Sequence, residues 1–182
     1  MRFLSGRIVL TLLALSVLLW AVMVFGTLAH LSEIAEGAQP FDLRPLGYSV
    51  GEARSFLTML GEAGRTYYAD VQLLLDTLYP AVYALSRALA IWWLSMPGRL
   101  RAEPVPLVLR CLVIIPPIAA AAFDYWENTL IAEMLAAGPA VANDVVSTAS
   151  IATQLKSVAG AVSEITMISF AGLAFLRRRR RA

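Results

Sequence analysis

The sequence predicts an all-α fold, a four-transmembrane-helix bundle with a short amphipathic helix in the loop between helices 1 and 2. Three observations carry that expectation. Hydrophobic residues make up 59% of the 182 and charged residues 15%, with mean hydropathy +0.69, outside the usual range of soluble domains. Four apolar stretches, about 8–26, 71–95, 104–128 and 145–176, are long enough for a hydrocarbon core of about 30 Å, which takes roughly 20 helical residues. The net charge is only +2, but its distribution is one-sided. Arg2, Arg7, Arg99, Arg101 and the run Arg177 to Arg181 fall on one side of a chain that crosses four times, against Arg44, Arg54 and Arg65 on the other. By the positive-inside rule both termini are cytoplasmic, and the whole chain, 1–182, is one multi-pass integral membrane domain.

The first helix, about 8–26, starts like a secretory signal, with a basic end and then an apolar run. That run is longer than a signal core of roughly 7 to 15 residues, so an uncleaved helix is expected. The outer loop, 27–69, is too polar to span and too patterned to be a mere linker. Pro40, Pro45 and Gly47 favour turns. Ser49 and Glu52 then have capping-box spacing, Ala53, Phe56, Leu57 and Leu60 recur at helical intervals, and Gly61 reads as a stop. This short helix is expected to roof the bundle rather than float on the membrane surface.

The second helix, about 71–95, carries Asp76, Pro80, Tyr83 and Arg87 on one face, which should point inward because charge facing lipid is costly. Pro80 predicts a kink. The third, about 104–137, opens on a proline in the favoured first-turn position and holds Arg110, Pro116, Pro117, Asp124, Glu127 and Asn128 before Gly138-Pro139 ends it. The fourth, about 145–176, carries Thr153, Lys156, Gly160 and Glu164 as a polar stripe, with small residues Ala152, Gly160 and Ala161 for close helix contact. The arginine run that follows reads as a stop-transfer anchor touching lipid head groups, so no nucleic-acid partner is expected.

Depth arithmetic brings the ionisable groups together. Asp76, Asp124 and Lys156 each lie roughly 28 to 32 Å from the cytoplasmic end of their helices at a rise of about 1.5 Å per residue. Asp76, Asp124, Glu127 and Lys156 are therefore expected to form one cluster, with excess negative charge that a cation, a protonated carboxyl, or Arg44 or Arg65 from the loop would balance. Arg87, Arg110 and Glu164 lie deeper and suggest a second pairing. Such groups also fix helix register without any chemistry.

Several chemistries find no support. His30 is the sole histidine and Cys111 the sole cysteine, so no Cys/His metal site, haem site or intramolecular disulfide is expected. No phosphate loop or nucleophile elbow is present. Neither a metal nor a cofactor is expected, since Lys156 stands beside the carboxylates that would hold one.

Taken together, Pro40-x-Asp42-x-Arg44-Pro45-x-Gly47-Tyr48, Gly64-Arg65-x-x-Tyr68, Asp76-x-x-x-Pro80, Asp124-x-x-Glu127-Asn128 and Thr153-x-x-Lys156 resemble a family of small, functionally uncharacterised bacterial four-helix membrane proteins. That resemblance covers about 41–176 and implies the same fold and an inner (cytoplasmic) membrane setting; it implies no activity. Asp124-x-x-Glu127-Asn128 is also similar to a helix motif of microsomal glutathione transferases, but Arg110 and two prolines stand where that family has further arginines and asparagines.

The expected function is non-enzymatic binding of a small polar ligand, lipid head group or ion at an outer-side charged cluster. Asp76, Asp124, Glu127, Asn128 and Lys156 would form it, roofed by Asp42, Arg44 and Arg65. The alternatives are an accessory subunit of a larger membrane complex or homo-oligomer, and a membrane enzyme acting on a lipid.

Overall fold

The computed structural model describes residues 4–96 and 105–179. Arg2, Arg99, Arg101, Glu103, Pro104, Arg180 and Arg181 lie outside the described residues. Every described element is helical. Ser5 opens α1 (Gly6–Val22), its hydroxyl accepting from the Ile8 amide. The helix does not end near residue 26. It passes through a π-helical turn, Met23–Thr27, into α2 (Leu28–Ile34), giving one continuous rod of 29 residues from Gly6 to Ile34. Leu28, Leu31 and Ala35 explain the extension, because all three are buried in the core beyond the turn.

A short 3₁₀ turn, Phe41–Leu43, leads to α3 (Val50–Tyr67). The Ser49 and Glu52 side chains cap it reciprocally, and the Ser49 hydrogen bonds hold the exposed Glu52 carboxyl below its ordinary value. Ala53, Phe56, Leu57, Leu60 and Gly64 form its buried face. Gly61 is not a stop but a kink: it leaves helical geometry at φ 61° and ψ −172°, after which the helix resumes. A second π-helical turn, Tyr68–Gln72, joins α3 to α4 (Leu73–Leu94) without a loop. The two π turns meet, Thr27 donating its hydroxyl to the Gln72 side-chain carbonyl.

The third expected helix is two pieces, α5 (Leu107–Leu112) and α6 (Ile115–Ala137), broken at Val113–Ile114. Pro116 and Pro117 account for the break: they occupy the first turn of α6, where no amide donor is required, and cannot continue a helix from before it. The 3₁₀ turn Gly138–Ala140 then reverses the chain into α7 (Asn143–Arg179).

Helices α6 and α7 form the most extensive packed pair, α4 packs on both, and α1 packs on α4. Along its length the bundle has two characters. At one end α2, α3, the α6–α7 turn and Phe41 enclose a buried aromatic core, in which Phe41 lies 4.8 Å from Tyr48 and 5.0 Å from Phe56, ring centre to ring centre. We call this the cap. The remainder exposes a belt of large apolar side chains, among them Leu10, Leu18, Leu74, Val108, Ile118, Val158, Ile165 and Ile168. Such a surface matches hydrocarbon, not water.

Three helical stretches among the described residues are long and apolar enough to cross a membrane: Gly6–Ile34, Leu107–Ala140 and Asn143–Arg177. The α4 helix, expected as a span, is not among them. Asp76, Arg87, Tyr79 and Tyr83 dilute its apolar character, and it can carry them because α1, α6 and α7 all pack against it.

Candidate functional site

The cap and the belt meet at a charged junction whose register is written into two helices. On α6, Asp124 and Glu127 are three apart, and on α7, Thr153 and Lys156 are three apart, so each pair projects from one helix face. Because α6 and α7 pack closely, the faces interlock. Lys156 Nζ lies 3.2 Å from Asp124 Oδ1 and forms a still closer ion pair with Glu127, which is fully buried and also accepts from the Thr153 hydroxyl. One ammonium is thus engaged by two carboxylates, close to saturation for its three donors.

Asp76 enters from α4 and Asp42 from the 3₁₀ turn of the cap. Both carboxyls line the same cavity and lie near enough to repel each other when ionised. Asp42 accepts from the Tyr68 hydroxyl. Burial pushes that phenol well above its ordinary range, and the adjacent Asp42 carboxyl adds to the effect, so Tyr68 remains a proton donor throughout the physiological range. Asp76 is only 2% exposed, and its Oδ2 has no hydrogen-bond partner. The cluster therefore joins Asp42 to Asp76, Asp124, Glu127 and Lys156.

The remaining expected site residues do other work. Asn128 faces α4, where its side-chain amide donates to the Asp76 carbonyl at 3.0 Å. Arg44 bonds the Gln39 carbonyl at 2.6 Å and sits over the rings of Phe41, Tyr48 and Phe56, away from the carboxylates. Arg65 donates to the Leu57 carbonyl at 3.2 Å, one turn before the Gly61 kink, and packs against Gly138. Neither arginine balances the cluster, because each is used inside the cap.

Deeper in the belt, Arg87 on α4 bonds Glu164 on α7 at 2.8 Å and reaches the Ser16 hydroxyl on α1. Arg110 does not join them. It bonds the Ser95 hydroxyl at 3.0 Å and stacks on Trp92, its guanidinium 3.8 Å from the ring centre. Sequence reasoning misses Ser16, whose signal is a hydroxyl that, with Thr11, interrupts an otherwise apolar run.

Between the two charged levels lies a cavity of about 550 Å³. Asp42, Asp76, Asp124 and Lys156 face it at the cap end, Arg87 and Glu164 at the other, with Tyr79 and Tyr83 along the α4 wall between them. Val17 and Trp20 of α1, Val24 of the π-helical turn that follows it, and Gly160 and Ala161 of α7 form its sides. The α7 backbone comes close at Gly160, whose carbonyl accepts from the Tyr83 hydroxyl at 3.3 Å, while Ala161 is exposed rather than buried at a helix contact. No cluster of three or more His, Cys, Asp or Glu side chains with metal-holding geometry occurs among the described residues. Compared with known proteins, the chain matches no family model, no curated sequence and no solved structure.

Proposed function

We propose that this chain is a four-span inner-membrane protein that binds a ligand in the cavity between α1, α4, α6 and α7, at the charged junction beneath the cap. In this reading α4 is the fourth span, α3 is the amphipathic roof, and the cap lies outside with both termini in the cytoplasm. Tyr125 and Trp126, exposed at the level of the cluster, then mark the outer membrane interface, where amphipathic rings are favoured.

The observation that carries the proposal is the buried Asp76 side chain, which lines the cavity and whose Oδ2 has no hydrogen-bond partner. An unsatisfied buried acceptor costs about 1–3 kcal/mol, and the cost persists unless something outside the chain relieves it. A purely structural cluster has no need of it, because Lys156, Asp124 and Glu127 already fasten α6 to α7. Reading the junction as a binding site accounts for both the orphaned oxygen and the space beside it.

Native mass spectrometry of the protein released gently from its own membrane tests this. We expect a defined small mass on the wild-type chain that is absent from Asp76→Asn, with the helical circular-dichroism spectrum unchanged. The same mass on both proteins, or none on either, defeats the proposal. Stoichiometric release of a second polypeptide without a small mass supports an accessory subunit instead.

A further inference from the structure

Resting on the reading of this cavity as a binding site, we infer that its ligand is a single-chain amphiphile with a primary ammonium head, reaching the site sideways from the bilayer between α1 and α7. Charge decides the head group. Lys156 is engaged by Asp124 and Glu127, and Arg87 by Glu164 and Ser16, so both cations facing the cavity already have carboxylate partners and offer an anion little net charge. What remains at the cap end is the Asp42–Asp76 carboxyl pair, whose one neutral donor is the Tyr68 hydroxyl on Asp42. The pair lines the cavity without a cation of its own, and a positively charged N–H donor complements it. An alkylammonium supplies charge and donor together, with three donors on one nitrogen.

The walls decide the rest of the molecule. From Asp76 the cavity runs along α4 toward Arg87, 11 residues or roughly 16 Å of helix. Val17, Val24, Leu43, Ala120 and Ala161 line this stretch, so a hydrated metal ion or a small free amine would leave most of the contact surface unused. The volume of about 550 Å³ holds about 18 water-sized groups at about 30 Å³ each, which suits one chain rather than a two-chain phospholipid.

Access follows from the packing. Helix α1 lies against α4, and extensive contact between α1 and α7 is lacking. At the resulting mouth Val17 is 53% and Trp20 44% exposed, and Ala161 is exposed opposite them. The same surface carries the exposed Leu18 on α1 and Val158 and Ile165 on α7, so the opening faces hydrocarbon. A ligand already dissolved in the membrane meets the mouth without crossing the cap.

The test uses the full chain in nanodiscs of uncharged lipid, with thermal unfolding followed by tryptophan fluorescence. The probes are decylammonium, ethylammonium, decanol and decyl sulfate. Decylammonium should raise Tm by roughly 5–10 °C at about a hundredfold excess over its Kd. The shift should vanish in Asp76→Asn and shrink in Ala161→Trp, which fills the mouth without touching the carboxylates. Decanol and decyl sulfate should leave Tm unchanged. An equal shift with decanol or decyl sulfate, or a full decylammonium shift in Asp76→Asn, overturns the inference. A full shift with ethylammonium overturns the amphiphile while leaving a cation site at Asp42–Asp76. If no probe shifts Tm, the inference fails, and a small mass that co-purifies with wild type but not Asp76→Asn would still uphold the binding site.

Discussion

Asn128 on α6 donates its side-chain amide to the carbonyl of Asp76 on α4, the carbonyl that Pro80 leaves without its helical donor. Residue 80 would normally bond back to residue 76, and proline has no N–H to give. Among apolar neighbours no water stands ready to replace that donor, so a neighbouring helix must do so. The Tyr125 hydroxyl makes a parallel bond to the next carbonyl, Thr77, at 3.0 Å. Asn128 thus belongs to helix packing rather than ligand binding.

This relation predicts a double-mutant cycle. Asn128→Ala should lower stability by about 1–2 kcal/mol, the low end for an orphaned carbonyl, because Asn128 Oδ1 itself lacks a partner and is lost with it. Adding Pro80→Ala restores an amide at position 80 and should recover most of the loss. An interaction energy near zero between the two changes, measured by reversible unfolding in mild detergent, would show that the bond does not serve the proline.

The Lys156 ion pairs predict a different asymmetry. Lys156→Ala leaves Asp124 and the fully buried Glu127 side by side without a counter-charge, and should destabilise by about 3–5 kcal/mol. Combining it with Glu127→Gln should recover more than combining it with Asp124→Asn, since Glu127 is the partner with no exposure and keeps Thr153 as its donor. Equal unfolding midpoints for the single and double variants would mean that Lys156 carries no pairing energy.

The sequence exposes the parts of this arrangement that depend on spacing along one helix. Asp124 with Glu127, Thr153 with Lys156, and Ser49 with Glu52 are all i,i+3 pairs, and a rise of about 1.5 Å per residue is enough to bring Asp76, Asp124 and Lys156 to one depth. What it hides depends on contacts between distant segments. Asp42 reaches Asp76 only because Phe41 is anchored in the cap core, and Arg44 is held over the same aromatic rings rather than over the carboxylates. The two π turns at Thr27 and Gln72 have no residue signature of their own, so the continuity of α1 with α2 and of α3 with α4 was not readable. In the sequence Gly61 reads as a helix stop because glycine commonly ends helices, and only its φ and ψ distinguish a stop from a kink.

That distinction gives a prediction whose sign decides it. In a regular helix, replacing glycine with alanine stabilises by about 0.5–1 kcal/mol. At Gly61 the backbone sits at φ 61° and ψ −172°, a region open essentially to glycine alone, although a Cβ there would meet no atom within 4 Å. Gly61→Ala should therefore destabilise by about 1–3 kcal/mol, all of it backbone strain, with Tm falling roughly 2–4 °C for each kcal/mol. Gly51 is the matched control: it lies on the exposed side of the same helix α3, and its Cβ would likewise touch nothing. Gly51→Ala should raise Tm. If both substitutions raise it, α3 runs straight through position 61, and the kink is not part of the fold in solution.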